Sequence, residues 1–411
     1  MRLIVSAALT IAIFSMPAIA APRQRSFTLA GQPRADSVAV APSHRYDGQY
    51  GYEPGTTRLF SIATTPGNYR VTVTLGLPDS ATRTTIKTES RRLMLDAVAV
   101  PAGRSVTRSF IVNVRDPTLV APPPHAPGGS AVRLKPRERG SYDWDDKLTL
   151  EILGQHPGVT SVSVVPITVP TVFLLGDSTV TDQPAEPAAS WGQMLPVFFR
   201  PDIAIANHAE SGETLKSFMT ELRFAKVLET AKPGDWALIQ FGHNDQKANW
   251  PQTYAPADSV YRDLLRLWIS EFRRRDVTPV LVTPPDRRQW SGPHIHSTLA
   301  DYVAAIKAVG AEMHVPVIDL NAASIAFYEA LGPKRAPLAF NDDGRDATHH
   351  DNYGAWVLAR SVAQGISGAK LSLVGNLLPD LPAFDPAHPP APEAFRLAPS
   401  IAHDSTRPDG N

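Results

Sequence analysis

An apolar run, Phe173-Leu174-Leu175, stops at Gly176-Asp177-Ser178, where a strand would end and present one serine hydroxyl on a tight turn. A serine hydroxyl is a poor nucleophile until a neighbouring base takes its proton and fixed donors stabilise the oxyanion formed on attack. Three later blocks have residue types suited to those jobs. Ser211-Gly212-Glu213-Thr214 follows Asn207, Gly242-His243-Asn244-Asp245 follows the apolar run Ala237 to Phe241, and Asp346-Ala347-Thr348-His349 lies further on. His349 is the candidate base, since an imidazole titrating near about pH 6.5 accepts and returns a proton at neutral pH. Asp346, three residues earlier on the same turn, is spaced to hold the imidazole N–H and fix its tautomer. The oxyanion donors are assigned to the backbone N–H of Ser178, the backbone N–H of Gly212 and the side-chain amide of Asn244. A glycine suits the second place because the backbone there must come close to the substrate.

These blocks need a scaffold that brings strand ends together. After Pro170, apolar runs (Val172 to Leu175, Ile203 to Ala206, Ala237 to Phe241, Val280 to Thr283, Val315 to Leu320) alternate with helical segments. Val260, Leu264, Leu267 and Phe272 give one amphipathic stripe, and Leu215 to Leu228, Leu299 to His314 and Tyr353 to Ile366 give three more helices. Near-continuous apolar strands separated by helices imply a parallel sheet covered on both faces. In such sheets ligands bind at the carboxyl ends of the strands, so the blocks converge on one crevice, built wholly from this part of the chain. Residues from about Ser26 to Pro166 differ in texture. Tyr69 to Leu75, Ser109 to Val114 and Leu148 to Leu153 alternate with period two between Pro- and Gly-rich turns, which predicts an antiparallel β-sandwich. Pro122 to Gly129 reads as a long surface loop, and residues 377–411, rich in Pro and Ala, as a poorly ordered tail.

The four blocks together resemble the signature of the SGNH (GDSL-type) hydrolases. Gly176-Asp177-Ser178-Thr179-Val180, Gln240-Phe241-Gly242-His243-Asn244-Asp245 and Asp346-x-Thr348-His349 with Tyr353-Gly354-Ala355 are similar to the rhamnogalacturonan acetylesterases of carbohydrate esterase family 12. The resemblance spans about Pro170 to Ile366. It implies a flavodoxin-like three-layer α/β/α domain over 170–368 and metal-independent ester hydrolysis through an acetyl-serine, with no cofactor. It implies an acetylated polysaccharide or oligosaccharide as substrate, here one from the plant cell wall and most simply pectic. The fungal members carry Gly-Arg-Ser in the second block, where this chain has Gly212-Glu213-Thr214. A cation beside the oxyanion glycine is thus replaced by a carboxylate. An α/β-hydrolase would require Gly-x-Ser-x-Gly, which Ser178-Thr179-Val180 does not supply.

Other residues are candidates for binding. Asp177 and His243 adjoin the nucleophile and the oxyanion Asn, and Arg287 and Arg288 follow a strand end, with Arg288 placed to pair with an acidic sugar. Asn207 is read as organising its turn and Trp191 as core. His349-His350 and His294-Ile295-His296 lack a third residue at metal-ligand spacing, so no metal is assigned. Tyr46 to Tyr52 could stack a sugar or form a structural loop, and the sandwich over 26–166 is read as a carbohydrate-binding candidate.

The chain has 411 residues, zero formal net charge and no cysteine. Balanced charge argues against a nucleic-acid partner. Arg2, the apolar run from Leu3 to Phe14 and Ala18-Ile19-Ala20 form a leader pattern cleaved near Ala20. That makes residues 1–20 a signal peptide and the protein secreted or periplasmic, where absence of disulfides fits a bacterial host with a large core. The run is shorter than the roughly 20 residues that span a bilayer. Rival readings are an SGNH esterase acting on small esters, lipid or acetylated sialic acid, an acetyltransferase, and a sugar-binding protein with a vestigial centre. Sequence leaves the sugar, the oligomeric state and the sandwich's role open.

Overall fold

The computed structural model describes residues 24–33, 35–404 and Pro408. The expected leader therefore lies outside the described residues. The first half of the chain forms two five-stranded sheets. One runs Val38–Ala39, Arg25–Thr28, Val159–Pro166, Gly67–Leu75, Val106–Val114, and the other Tyr50–Tyr52, Leu59–Ala63, Lys147–Leu153, Thr82–Thr88, Arg92–Val100. All pairings are antiparallel except the short Val38–Ala39 edge. Alternate residues point to opposite faces of a strand, so Val71, Val73, Val112 and Val162 from one sheet meet Phe60, Ile62, Ile86, Leu148 and Leu150 from the other in one apolar core.

The second half contains a five-stranded parallel sheet. Its order is Ala204–Asn207, Thr171–Gly176, Trp236–Gln240, Thr278–Val282, Val317–Ile318. Numbered within this sheet that is 2-1-3-4-5, the flavodoxin-like order, whose switch point lies beside the first strand. Phe173 and Leu175 face one helical layer, formed by Leu215–Thr220, Arg223–Thr230, Val260–Arg273 and Ala300–Glu312. Val172 and Leu174 face the other, formed mainly by Leu320–Arg335 and Asn352–Gly368. Burial on both faces is why these strands read as unbroken apolar runs. Among the described residues no helix is long and apolar enough to cross a membrane.

Three expectations are corrected. The segment Leu215 to Leu228 is two helices, because Leu222 adopts a left-handed φ of 64° between them. The helix Leu320–Arg335 was not anticipated; it starts directly after its strand, capped by the Asp319 carboxylate on the Ala322 N–H. The tail is also tied down over its described length. Leu381, Phe384, Phe395 and Leu397 pack on the core, the Tyr353 hydroxyl donates to Pro390 O at 2.6 Å, and His403–Asp404 pairs with Glu186–Pro187. Proline removes N–H donors, but it leaves carbonyls and side chains that can still dock.

Candidate active site

The strand Thr171–Gly176 ends where the chain must turn back beneath itself. A Cβ on Gly176 would lie 2.5 Å from Val180 Cγ2 and 2.8 Å from Gln240 O, so only glycine fits. Asp177 then closes the turn. Its carboxylate accepts the Thr179 N–H at 3.0 Å and the Thr179 hydroxyl at 2.8 Å, and its carbonyl accepts the N–H groups of Val180 and Thr181. Ser178 stands at the apex. Its Oγ is 2.8 Å from His349 Nε2, and His349 Nδ1 is 2.8 Å from Asp346 Oδ2. A carboxylate can only accept, so the proton sits on Nδ1 and Nε2 presents a lone pair to the serine hydroxyl. Asp346 Oδ1 meanwhile accepts the backbone N–H of Thr348 at 2.8 Å and of His349 at 3.0 Å. Burial by itself would raise the Asp346 pKa, yet the imidazole and these two N–H groups hold it well below the usual carboxylate range. The carboxylate therefore stays ionised through the whole working range.

The candidate oxyanion donors come from three blocks, of which the second and third are joined by the Asn244 bond to Glu213 O. Among the described residues, the N–H groups of Ser178 and Gly212 have no acceptor. Gly212 has φ +78°, the left-handed conformation that glycine adopts without steric cost. Asn244 spends one amide N–H on Glu213 O at 3.0 Å and has a second to offer. Asp245 joins the second and third blocks, accepting the N–H of Leu215 at 2.9 Å and of Gly242 at 3.0 Å. Burial, with the Asp177 charge, pushes the Asp245 pKa up to about 7 against those two donors.

A family model described as GDSL-like lipase/acylhydrolase matches residues 174–357. The rhamnogalacturonan acetylesterase RhgT of Bacillus subtilis is 38% identical over 221 residues, 50% of this chain and 94% of that protein. The chain belongs to the GDSL-like lipase/acylhydrolase family. It is accordingly a carboxylic ester hydrolase. The probable rhamnogalacturonan acetylesterase YesY of the same organism is 32% identical over 210 residues, 50% of this chain and 97% of that one. A solved Bacillus subtilis structure, YXIM_BACsu, aligns over 85% of this chain and 99% of its own at 22% identity and a TM-score of 0.49.

Within this GDSL-family site, the residues expected to bind substrate have internal partners. Asp177, expected to touch substrate, is fully buried and hydrogen-bonded to His243, with Nδ1 to Oδ2 3.2 Å. Burial would raise the Asp177 pKa, but the His243 charge and hydrogen bond and the Thr179 donors lower it. His243 is 1% exposed, so the pair fastens the first block to the third from within. Arg288 donates to the carbonyls of Gly344 and Asp346, and its guanidinium lies 4.9 Å from the Phe340 ring centroid. It thus holds the turn that carries Asp346 through Nη2. Asn207 and Trp191 take the structural places read for them: Asn207 Nδ2 donates to Val180 O and Asp182 Oδ1, and Trp191 Nε1 to Gln240 Oε1 at 2.8 Å.

The crevice is also not built from the second half alone. Arg137, from the first half, pairs with Glu210 and donates to Gln183 Oε1 at 3.2 Å, while Gln183 Nε2 donates to the carbonyl of Ser178 at 2.8 Å. Lys135 reaches the second block, where Nζ donates to Ser211 O and lies 2.6 Å from Glu213 Oε1. Sequence reasoning passed over Gln183, Lys135 and Arg137, since isolated polar residues in a loop carry no period or motif. The one available signal was the acidic Glu213 in a buried block, which required a cation from somewhere.

Proposed function

We propose that the protein is a serine O-acetylesterase that removes acetyl groups from a plant-wall polysaccharide, rhamnogalacturonan above all. The observation that carries the reading is the unbroken Asp346–His349–Ser178 chain, with the Ser178 and Gly212 N–H groups left without an acceptor among the described residues. The names of the curated relatives supply the substrate.

In this mechanism Ser178 Oγ attacks the acetyl carbonyl carbon as His349 Nε2 takes its proton. The carbonyl π electrons move onto oxygen, which is held by the N–H groups of Ser178 and Gly212 and the free amide N–H of Asn244. His349 then protonates the departing sugar oxygen, the tetrahedral species collapses, and acetyl-Ser178 remains. Water, deprotonated by the same imidazole, attacks this ester, and His349 Nε2 returns that proton to Ser178 Oγ as the bond to it breaks, releasing acetate and the free serine. Ser178 and His349 are 2% and 1% exposed, which favours a short acyl group over a fatty chain. Export after cleavage near Ala20, and a division into a β-sandwich over 26–166 and a catalytic unit over 170–368, belong to the same proposal.

Acetate release measured across acetylated rhamnogalacturonan, xylan, homogalacturonan and sialoglycan tests it. Rhamnogalacturonan should be turned over fastest, and Ser178→Ala should abolish turnover of every substrate without shifting the melting temperature by more than a few degrees. Activity in Ser178→Ala within a few-fold of wild type would remove the mechanism. A faster rate on another polymer would replace the substrate.

A further inference from the structure

Gly212 cannot fix its own conformation. Glycine populates positive and negative φ about equally, so a catalytic N–H on glycine must be aimed by its neighbours. Both neighbours here are held by one side chain from the first half of the chain. Lys135 Nζ donates to the carbonyl of Ser211, on one side of Gly212, and forms an ion pair with the carboxylate of Glu213 on the other. It lies 3.5 Å from the position that a Cβ on Gly212 would take. Glu213 is fully buried, its second oxygen accepts the Ser217 hydroxyl at 2.6 Å, and its backbone carbonyl orients the Asn244 amide. Lys135 is therefore coupled to two of the three oxyanion donors at once.

Its own place is set by the turn Pro136–Glu138. Glu138 accepts the Lys135 N–H at 2.8 Å, the Trp144 Nε1–H at 2.9 Å and Arg223 Nη1 at 2.9 Å. Arg223 lies 3.5 Å from Glu213 as well, so the cluster closes on itself. Arg137 from the same turn adds the contacts to Glu210 and Gln183 described above. Cation, carboxylate and backbone carbonyl thus form a continuous support running from the turn between strands Val106–Val114 and Lys147–Leu153 to the oxyanion loop.

We propose that Lys135 is a positioning residue for acyl transfer, and that the first half of the chain completes the active site through it as well as meeting any polymer. This rests on the serine-esterase reading above. Misplacing a catalytic donor by about an ångström costs on the order of a hundredfold, so loss of the ammonium lowers kcat by about 10- to 100-fold and leaves KM nearly unchanged.

The test compares wild type, Lys135→Met, Lys135→Arg and the pair Lys135→Met/Glu213→Gln on p-nitrophenyl acetate, with thermal melts of each. The pair removes both charges, so no carboxylate is left buried without Lys135. Expected are a slow Lys135→Met, recovery of most of kcat by Lys135→Arg, and a folded double variant that is still slow. A folded double variant at the wild-type rate overturns the proposal. So does loss of the folded state in both neutral variants, which makes Lys135 a folding residue, and so does a rise in KM with kcat unchanged. Failure of the esterase reading looks different: wild type itself would not turn over acetyl esters, or Ser178→Ala would.

Discussion

Replacing Asp346 by Asn is the sharpest test of how this site works, because the structure dictates which way the amide must face. Asp346 Oδ1 accepts two backbone N–H groups, from Thr348 and His349, and Oδ2 accepts the His349 Nδ1–H. Each buried donor left without a partner costs about 1–3 kcal/mol. Turning the amide the other way would strand both backbone donors, so the Asn oxygen stays on the backbone side and its NH2 faces the imidazole. An NH2 group cannot accept, so His349 must present a lone pair at Nδ1 and carry its proton on Nε2. That nitrogen is the one 2.8 Å from Ser178 Oγ. A protonated Nε2 cannot take the serine proton, and kcat should fall by about 10⁴-fold, the loss seen when a catalytic histidine is held in the wrong tautomer. At about 1.36 kcal/mol per tenfold, this is roughly 5 kcal/mol of barrier. The two side chains are nearly isosteric and the backbone acceptor is kept, so the fold should survive. The assay is steady-state hydrolysis of p-nitrophenyl acetate at pH 7 beside a circular-dichroism melt. A folded Asp346→Asn protein within tenfold of wild type would refute the tautomer argument and leave Asp346 a merely structural residue.

Two further outcomes follow from the same geometry. Asn244→Ala removes one oxyanion donor, so kcat for the same ester should drop about 100- to 1,000-fold with KM little changed; an unchanged kcat would assign Asn244 to the fold through its bond to Glu213 O. His350 is buried, its Nε2 lies 2.7 Å from the Tyr328 hydroxyl, and burial, with the neighbouring His349 charge, pushes its pKa down to about 3. An unfolded histidine takes a proton near about pH 6.5 and the folded one does not until about pH 3, so this group costs stability progressively as pH falls from about 6.5 towards 3. His350→Gln lacks that cost. The urea-unfolding free energy of wild type minus variant should therefore shrink by about 2 kcal/mol between pH 7 and pH 5, and a pH-independent gap would show that His350 protonates as easily folded as unfolded.

Local pattern carried much of the architecture. The five apolar runs of the parallel sheet are buried on both faces, so each strand had to be apolar at nearly every position and stood out by composition alone. The strands Gly67–Leu75, Val106–Val114 and Val159–Pro166 have a partly exposed outer side, and their alternation of burial reports it directly. The Gly-Asp-Ser turn and the Asp-x-x-His spacing were legible for a similar reason: each unit is closed by contacts within a few residues, Asp177 to Thr179 and Asp346 to His349. Chain-local hydrogen bonds leave a fixed spacing that can be read without coordinates. The helix break at Leu222 was not legible, because a leucine at positive φ goes against local preference and is sustained by packing.

What only the tertiary structure decided is how residues far apart in sequence use their charges. Asp177 is adjacent to the nucleophile and looked like a substrate ligand, yet it turns inward to His243, 66 positions away. Arg288 looked free to meet a sugar and is engaged by carbonyls 56 and 58 positions on. Glu213 is a carboxylate in the block that carries the oxyanion glycine, and its partner proved to be Lys135, from a part of the chain with no apparent share in the chemistry. A carboxylate buried away from water needs a counter-charge nearby, which makes the need predictable from one residue. Which cation meets it depends on distance in space, and that is set only when the sheets of the first half pack against the loops of the second.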